Sequence, residues 1–337
     1  MNQKSLSEWL RLPDETKKNI FTEISKNTGL PAVAVEKDWW VVKTLEVVFN
    51  TEISGHTVFK GGTSLSKAWG LIERFSEDID LALDKKFLGF DKEMSGSQVK
   101  KLRKHSFKYI SQKYYPELEK AFHEHGLKDV ELRLTEPTAD DQDPLIIEVH
   151  YPGLIEKVEY IQPRVLIEIG SRSLREPFTD RPFNTMVGEH FKGKPFADSE
   201  IRIPTVNPER TFLEKIFLLH EEFQKTVDKI NVDRLSRHLY DVEKMMDTEF
   251  AVKAYSDTNL YKHLVEYRRT LTPLRGIDYA NHAPDKINPV PPESLFGAWE
   301  KDYVQMQQNM IYGESLPFAK LLDRVRELKE RINKIKL

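Results

Sequence analysis

A chain of 337 residues with 39% hydrophobic and 31% charged side chains has the balance of a globular protein and room for two modest domains, so disorder is not the expectation. There is no cysteine, which excludes disulfides, thiol nucleophiles and cysteine-ligated zinc; any metal must rest on oxygen or histidine, with hard cations leading. A formal charge of −3 gives no overall field for nucleic acid; the start Met1-Asn2-Gln3-Lys4-Ser5 lacks the apolar stretch of a signal peptide, no run approaches the roughly 20 apolar residues of a membrane helix, and the chain is read as cytoplasmic with no membrane partner.

The first predicted element is a helix over Pro13–Thr28, with Ile20, Phe21 and Ile24 at helical spacing and Gly29 placed to end it. A second helix begins near Pro31 and carries Val33, Val35, Trp39, Trp40, Val42 and Val47, with Lys37, Asp38 and Lys43 interspersed. A strand (Thr57–Lys60), a Gly-Gly turn, a short helix from Ser64 to about Gly70 and an alternating strand (Ile79–Leu83) follow. Ser95 to about His125 reads as helix, lysine-rich on one side. Strands are predicted at Val130–Leu134, Leu145–Tyr151 and Arg164–Ile169, with the acidic loop Ala139-Asp140-Asp141-Gln142-Asp143 between the first two. Beyond about Pro204 long helices take over, at Pro208–Lys225, Val232–Met246 and Pro317–Ile335, and Gly276–Pro292 reads as a long surface loop. The domain boundary is accordingly placed between residues 1–203 and 204–337. The expected fold is α/β or α+β: a mixed sheet carrying the site, then a mainly helical C-terminal half closing over its ligand.

Two features carry chemistry. In Lys60-Gly61-Gly62-Thr63-Ser64-Leu65-Ser66-Lys67, two glycines and two hydroxyls stand where a strand turns into a helix; glycine lets backbone approach a ligand, and the free N–H groups attract phosphate. Alone, such a turn is more often plain loop geometry. In Ser76-Glu77-Asp78-Ile79-Asp80-Leu81, alternate strand residues share a side, so Asp78 and Asp80 come together and repel unless a cation lies between them. Alone, that pair reads as a solvated strand face. One short helix separates the two features, so each supplies half of what a metal-bound nucleoside triphosphate requires.

With these residues in view the sequence resembles the AbiEii/AbiGii family of nucleotidyltransferase toxins, abortive-infection proteins of bacterial type IV toxin–antitoxin systems within the DNA-polymerase-beta-like superfamily. The resemblance is carried by Lys60–Ala68 and Arg74–Leu81, and further by Glu36-Lys37-Asp38, by Pro208-Glu209-Arg210-Thr211-Phe212-Leu213-Glu214-Lys215 and by Arg237-His238-Leu239-Tyr240-Asp241. It implies that Gly61, Gly62, Thr63 and Ser64 hold triphosphate oxygens, that Asp78 and Asp80 hold Mg²⁺ or Mn²⁺, that Lys215 reaches the nucleotide phosphates and that Asp241 completes the centre. A third carboxylate from a later strand is assigned to Glu168, with Glu148 second. The implied substrate is a nucleoside triphosphate, the implied acceptor RNA such as the 3′ end of tRNA, and the implied regulator a cognate antitoxin. The rival readings are transfer to a small molecule or to protein, and a non-catalytic nucleotide- or antitoxin-binding module.

The later motifs have blander readings beside these. Lys215 sits at the margin of an apolar stripe, where it snorkels to water or meets an anion; Arg237 and Asp241 are spaced for an intrahelical pair; Tyr240 and Trp69 read as core or stacking residues. The basic stretch Lys100, Lys101, Arg103, Lys104, His105, Lys108 and Lys113 is either a solvated helix face or a phosphate-backbone contact. His123-x-His125 reads as surface histidines, and neither a P-loop nor a Rossmann signature is present.

Overall fold

Apolar spacing and clear stops produce the first helices. In the computed structural model, which describes residues 3–76, 78–91, 94–156 and 161–337, α1 spans Gln3–Arg11, α2 Asp14–Thr28 and α3 Ala32–Val48. Glu77 of the acidic motif and Met1-Asn2 lie outside the described residues. Gly29 ends α2 in the left-handed region, at φ 77°, which a side chain rarely adopts. α1 is not foreshadowed by the sequence, because Leu6 and Trp9 are too short a pattern to stand out; Trp9 is nevertheless buried and stacks on Trp39 with centroids 5.2 Å apart.

α3 is buried from Val33 to Val48, charges included, so those charges must be paired. Glu36 accepts from the backbone N–H groups of Leu154 (2.7 Å) and Ile155 (3.1 Å), and Lys37 donates to the Gln162 carbonyl at 3.1 Å. Lys43 lies 2.8 Å from Glu46 and 2.6 Å from Asp198.

Next come β1 (Thr57–Lys60), α4 (Gly61–Lys67) and β2 (Asp78–Leu83). The expected long helix after Ser95 is α5 (Gly96–Tyr109), a π-helical turn (Ile110–Tyr114) and α6 (Tyr115–Glu124), opened by a Ser95/Gln98 capping box. β3 (Glu131–Leu134), β4 (Leu145–His150) and β5 (Arg164–Gly170) match the predicted strands closely. β6 (Phe178–Phe183), α7 (Met186–His190) and β7 (Ile201–Val206) follow, none of them among the predicted elements. The described strands form one seven-stranded sheet in the order β3-β4-β5-β2-β1-β7-β6. It is mixed: β2 is antiparallel to β1 and parallel to β5, and β7 is parallel to β1.

By their contacts Met1–Trp69 and Phe75–Val206 make one unit, and Gly70–Arg74 with Asn207–Leu337 a second. The second unit is mainly helical: α8 (Pro208–Phe223), α9 (Ser236–Met245), α10 (Glu249–Ser256), α11 (Thr258–Leu271), α12 (Phe296–Asn309) and α13 (Phe318–Ile332). Residues 276–292 are less a surface loop than a packed strap of short 3₁₀ turns. Ile287 is wholly buried, His282 lies 3.1 Å from Glu221, and the Asn288 N–H donates to His220 Nδ1 at 3.0 Å. Among the described residues no helix is long and apolar enough to cross a membrane.

Candidate active site

The antiparallel pairing of β1 and β2 sets Lys60 opposite Asp80. The chain turns immediately after Lys60, so Gly61 comes to lie against the Asp80 carboxylate. Gly61 has φ +80°, and a Cβ there would stand 1.8 Å from Asp80 Oδ2 and 2.7 Å from its Cγ. Glycine is therefore required twice, by backbone conformation and by the close approach. The Gly-Gly turn and the carboxylate strand form one local structure, with both glycines inside the first turn of α4 rather than ahead of it.

The two hydroxyls of the turn point into the protein. Thr63, buried, donates its one proton to the Asp78 carbonyl, with Ser76 Oγ 3.0 Å away, and Ser64 donates to the Gly61 carbonyl at 2.8 Å. Thr63 pins the turn to the start of β2, Ser64 closes the turn on itself, and what the turn offers an anion is its backbone. α4 is itself tied down, since Lys67 pairs with the buried Asp38 at 2.7 Å and Asp38 also accepts from the Met186 N–H at 2.8 Å. The Glu36-Lys37-Asp38 motif thus holds loops and the turn in place. At the far end of α4, Trp69 donates to the Val206 carbonyl at 3.1 Å, and the Arg181 guanidinium lies 4.3 Å from its ring centroid.

Along β2 the burial alternates: Ile79 and Leu81 are buried, while Asp78 and Asp80 share the other, partly exposed face. The parallel register with β5 places Glu168 beside Asp80 and Leu166 beside Asp78. Glu148, the second choice for a third carboxylate, lies on β4 opposite Leu166 and takes His150 at 2.7 Å and Arg164 at 2.8 Å. Partial burial opposes its ionisation, but those two partners outweigh it and hold its carboxyl below the usual range. Among the described residues no group of three or more His, Asp or Glu side chains is gathered to hold a metal. Two carboxylates on one strand face, with the remaining ligands brought by phosphate oxygens and water, are a set that Mg²⁺ accepts, so the residues fit a substrate-borne cation and not a preformed cage.

In the second unit α8 and α9 bring Lys215, His238 and Asp241 together. Asp241 is wholly buried, and Arg74 grips it with two parallel bonds, Nε to Oδ1 at 2.6 Å and Nη2 to Oδ2 at 2.7 Å. Lys215 Nζ lies 2.7 Å from Asp241 Oδ2 and 3.4 Å from His238 Nδ1. The partners of Asp241 are thus Arg74 and Lys215, and the intrahelical pair with Arg237 is not its arrangement. Two cations act on one carboxylate, and the protonation preferences follow. Burial disfavours the Asp241 charge, but Arg74 and Lys215 prevail and hold its carboxyl far below the ordinary range. Lys215 is pushed down by burial, which Asp241 only partly offsets, and burial with the adjacent Lys215 drives His238 well below its ordinary value. That shift favours the neutral imidazole at His238. Sequence reasoning assigns no role to Arg74 or His238, although both lie inside the motifs that carry the resemblance.

The basic stretch on α5 is partly neutralised. Arg103 bonds the Asp141 carbonyl at 2.9 Å and its carboxylate at 3.2 Å, Lys104 pairs with Asp140 at 3.0 Å, and Lys113 with Glu52 at 2.8 Å. Lys100, Lys101 and Lys108 are exposed and have no ion-pair partner among the described residues.

The profile of the family described as "Nucleotidyl transferase AbiEii toxin, Type IV TA system" matches residues 48–327. Among solved structures the fold is similar to that of MenT4, a nucleotidyltransferase toxin from Mycobacterium tuberculosis H37Rv, with a TM-score of 0.52 at 16% identity, covering 95% of this chain and 90% of that one. JHP933 from Helicobacter pylori aligns with a TM-score of 0.42 at 14% identity, covering 90% of this chain and 94% of that one. No curated protein matches the sequence significantly.

Proposed function

The chain belongs to the AbiEii family of nucleotidyltransferase toxins of type IV toxin–antitoxin systems, and from that premise we propose that it moves a nucleoside monophosphate from a nucleoside triphosphate to an RNA end, such as the 3′ end of tRNA, under control of a cognate antitoxin. The observation that carries this reading is the approach of Gly61 to Asp80, because a turn that offers backbone N–H groups and a carboxylate that attracts a cation are held within one van der Waals contact.

The acceptor hydroxyl attacks the α-phosphorus and forms a new P–O bond, the bond to the β-phosphate oxygen breaks, and pyrophosphate leaves with its electron pair; the hydroxyl proton passes to solvent or to a carboxylate. Asp78 and Asp80, with Glu168 beside them, would hold Mg²⁺ or Mn²⁺, which would supply charge stabilisation for the attacking and leaving oxygens. Gly61 and Gly62 receive triphosphate oxygens on their backbone, while Thr63 and Ser64 keep the turn in shape for it. Lys215 contributes positive charge to phosphate binding, with Asp241 as its counter-ion.

Triphosphate binding is expected to require the cation, since like-charged carboxylates repel polyphosphate until one lies between them. Titration calorimetry with Mg²⁺ and then with excess chelator checks this; equal affinity in both conditions removes the metal bridge from the account. RNA binding is expected to use the unpaired lysines of α5. Reversing Lys100, Lys101 and Lys108 to glutamate should weaken RNA affinity, flatten its salt dependence by roughly one logarithmic slope unit for each phosphate no longer neutralised, and leave triphosphate affinity alone. An unchanged slope assigns these lysines to a solvated helix face.

A further inference from the structure

Asp241 is wholly buried and both of its oxygens are held, by Arg74 through a two-point fork and by Lys215 at 2.7 Å. A carboxylate so buried, with each oxygen already accepting from a cation, is placed to hold those cations and not to meet a reacting group. The fork fixes the plane of the carboxylate, which a single-point contact cannot do, and thereby fixes where the Lys215 ammonium finds its counter-ion.

Arg74 is itself held firmly. It makes an isolated antiparallel bridge with Ile311, and the preceding Glu73 carbonyl accepts from the N–H groups of Tyr312 at 3.0 Å and Gly313 at 3.3 Å. The approach is close enough that a Cβ on Gly313 would stand 2.1 Å from Glu73 Oε2.

We propose that Arg74 and Asp241 are positioning residues rather than catalytic ones: Arg74 orients the Asp241 carboxylate, and Asp241 keeps the Lys215 ammonium charged and in place for anionic substrate. This inference deepens the assignment of Lys215 to phosphate binding and rests on it. The groups facing Lys215 are Asp241, His238 and Arg237 from α9 and Arg74 from the segment 70–74. His238, whose charged form burial disfavours, offers the ammonium no counter-charge, and Arg74 and Arg237 both disfavour it. Asp241 is therefore what keeps the proton on Lys215 among these neighbours.

The test is a side-chain ¹⁵N titration of Lys215 in the full chain, assigned by the signal that disappears in Lys215→Met, together with triphosphate affinity against pH. In Asp241→Asn the Lys215 titration should fall by about one pH unit or more, as expected when an opposite charge at contact distance is removed. Triphosphate binding should then be lost at correspondingly lower pH as the pH is raised. Arg74→Lys keeps the charge count but loses the fork; its triphosphate affinity should drop roughly tenfold as the Lys215 counter-ion loses its fixed orientation, and its melting temperature should fall as well because a buried charge-assisted bond is lost.

A Lys215 titration that does not move in Asp241→Asn, with kcat reduced equally at every pH, would make Asp241 a catalytic group and overturn the proposal. If Asp241→Asn does not fold, Arg74→Lys decides, and unchanged triphosphate affinity there overturns it equally. Failure of the underlying assignment looks different: Lys215→Met would bind triphosphate as the parent does, whatever the titration shows.

Discussion

Replacing Asp80 by alanine is expected to abolish nucleotidyl transfer, and any toxicity with it, while leaving the fold intact. Asp80 sits between the buried Ile79 and Leu81 with its own side chain on the partly exposed face, so truncation opens no core cavity. It stands in register with Glu168 on the neighbouring strand, and removing one of two adjacent like charges relieves repulsion in the metal-free protein. Stability should therefore change little, or rise. Transfer, by contrast, loses a ligand of the charge that stabilises the reacting phosphate, at a cost on the order of several kcal/mol and hence about a thousandfold or more in rate. Melting temperature and transfer rate on the same purified variant separate the possibilities. A variant that melts normally and still labels RNA near the parent rate removes Asp80 from the chemistry, whereas one that unfolds makes it structural.

Gly61→Ala should also cost much of the activity, for a different reason. Its methyl group would stand 1.8 Å from Asp80 Oδ2, nearer than any non-bonded contact, and its φ of +80° is one that alanine rarely adopts. The carboxylate can swing away, so the stability loss should be modest, about 1–3 kcal/mol from the backbone conformation. Catalysis cannot tolerate the same swing: a displacement of about 1 Å in a catalytic group costs around a hundredfold. Gly55→Ala is the control, since open space surrounds that position and its transfer rate should be the parent's. Parent-like activity in Gly61→Ala would mean that the approach of the turn to the strand has no part in the reaction.

Much of the first unit is readable from local pattern because the deciding signals are local. Strand alternation at Asp78–Leu83, glycine punctuation at Gly29 and Gly61 and proline starts near Pro13 and Pro31 act within a few residues. β7 is hidden for a physical reason: Pro204 stands within it and argues against a strand, yet Val206 packs with Val58 and Ala82 in the sheet core. β6, with Asp180, Arg181 and Pro182, carries the polar and proline residues of an edge strand and shows no apolar alternation. The charges of α3 stand interspersed among its apolar residues with no local sign that they are buried, because their partners at Gln162, Leu154, Met186 and Asp198 lie far along the chain. The same holds for Arg74, whose role depends on Asp241, 167 residues away.

The most direct measurement of the central claim uses triphosphates labelled at either end, incubated with the full chain, Mg²⁺ and total RNA. Nucleotidyl transfer predicts that α-phosphate label enters RNA and pyrophosphate appears in equal amount, both ceasing in Asp80→Ala. Label entering RNA from the γ-phosphate instead, or no incorporation from any of the triphosphates, would contradict it.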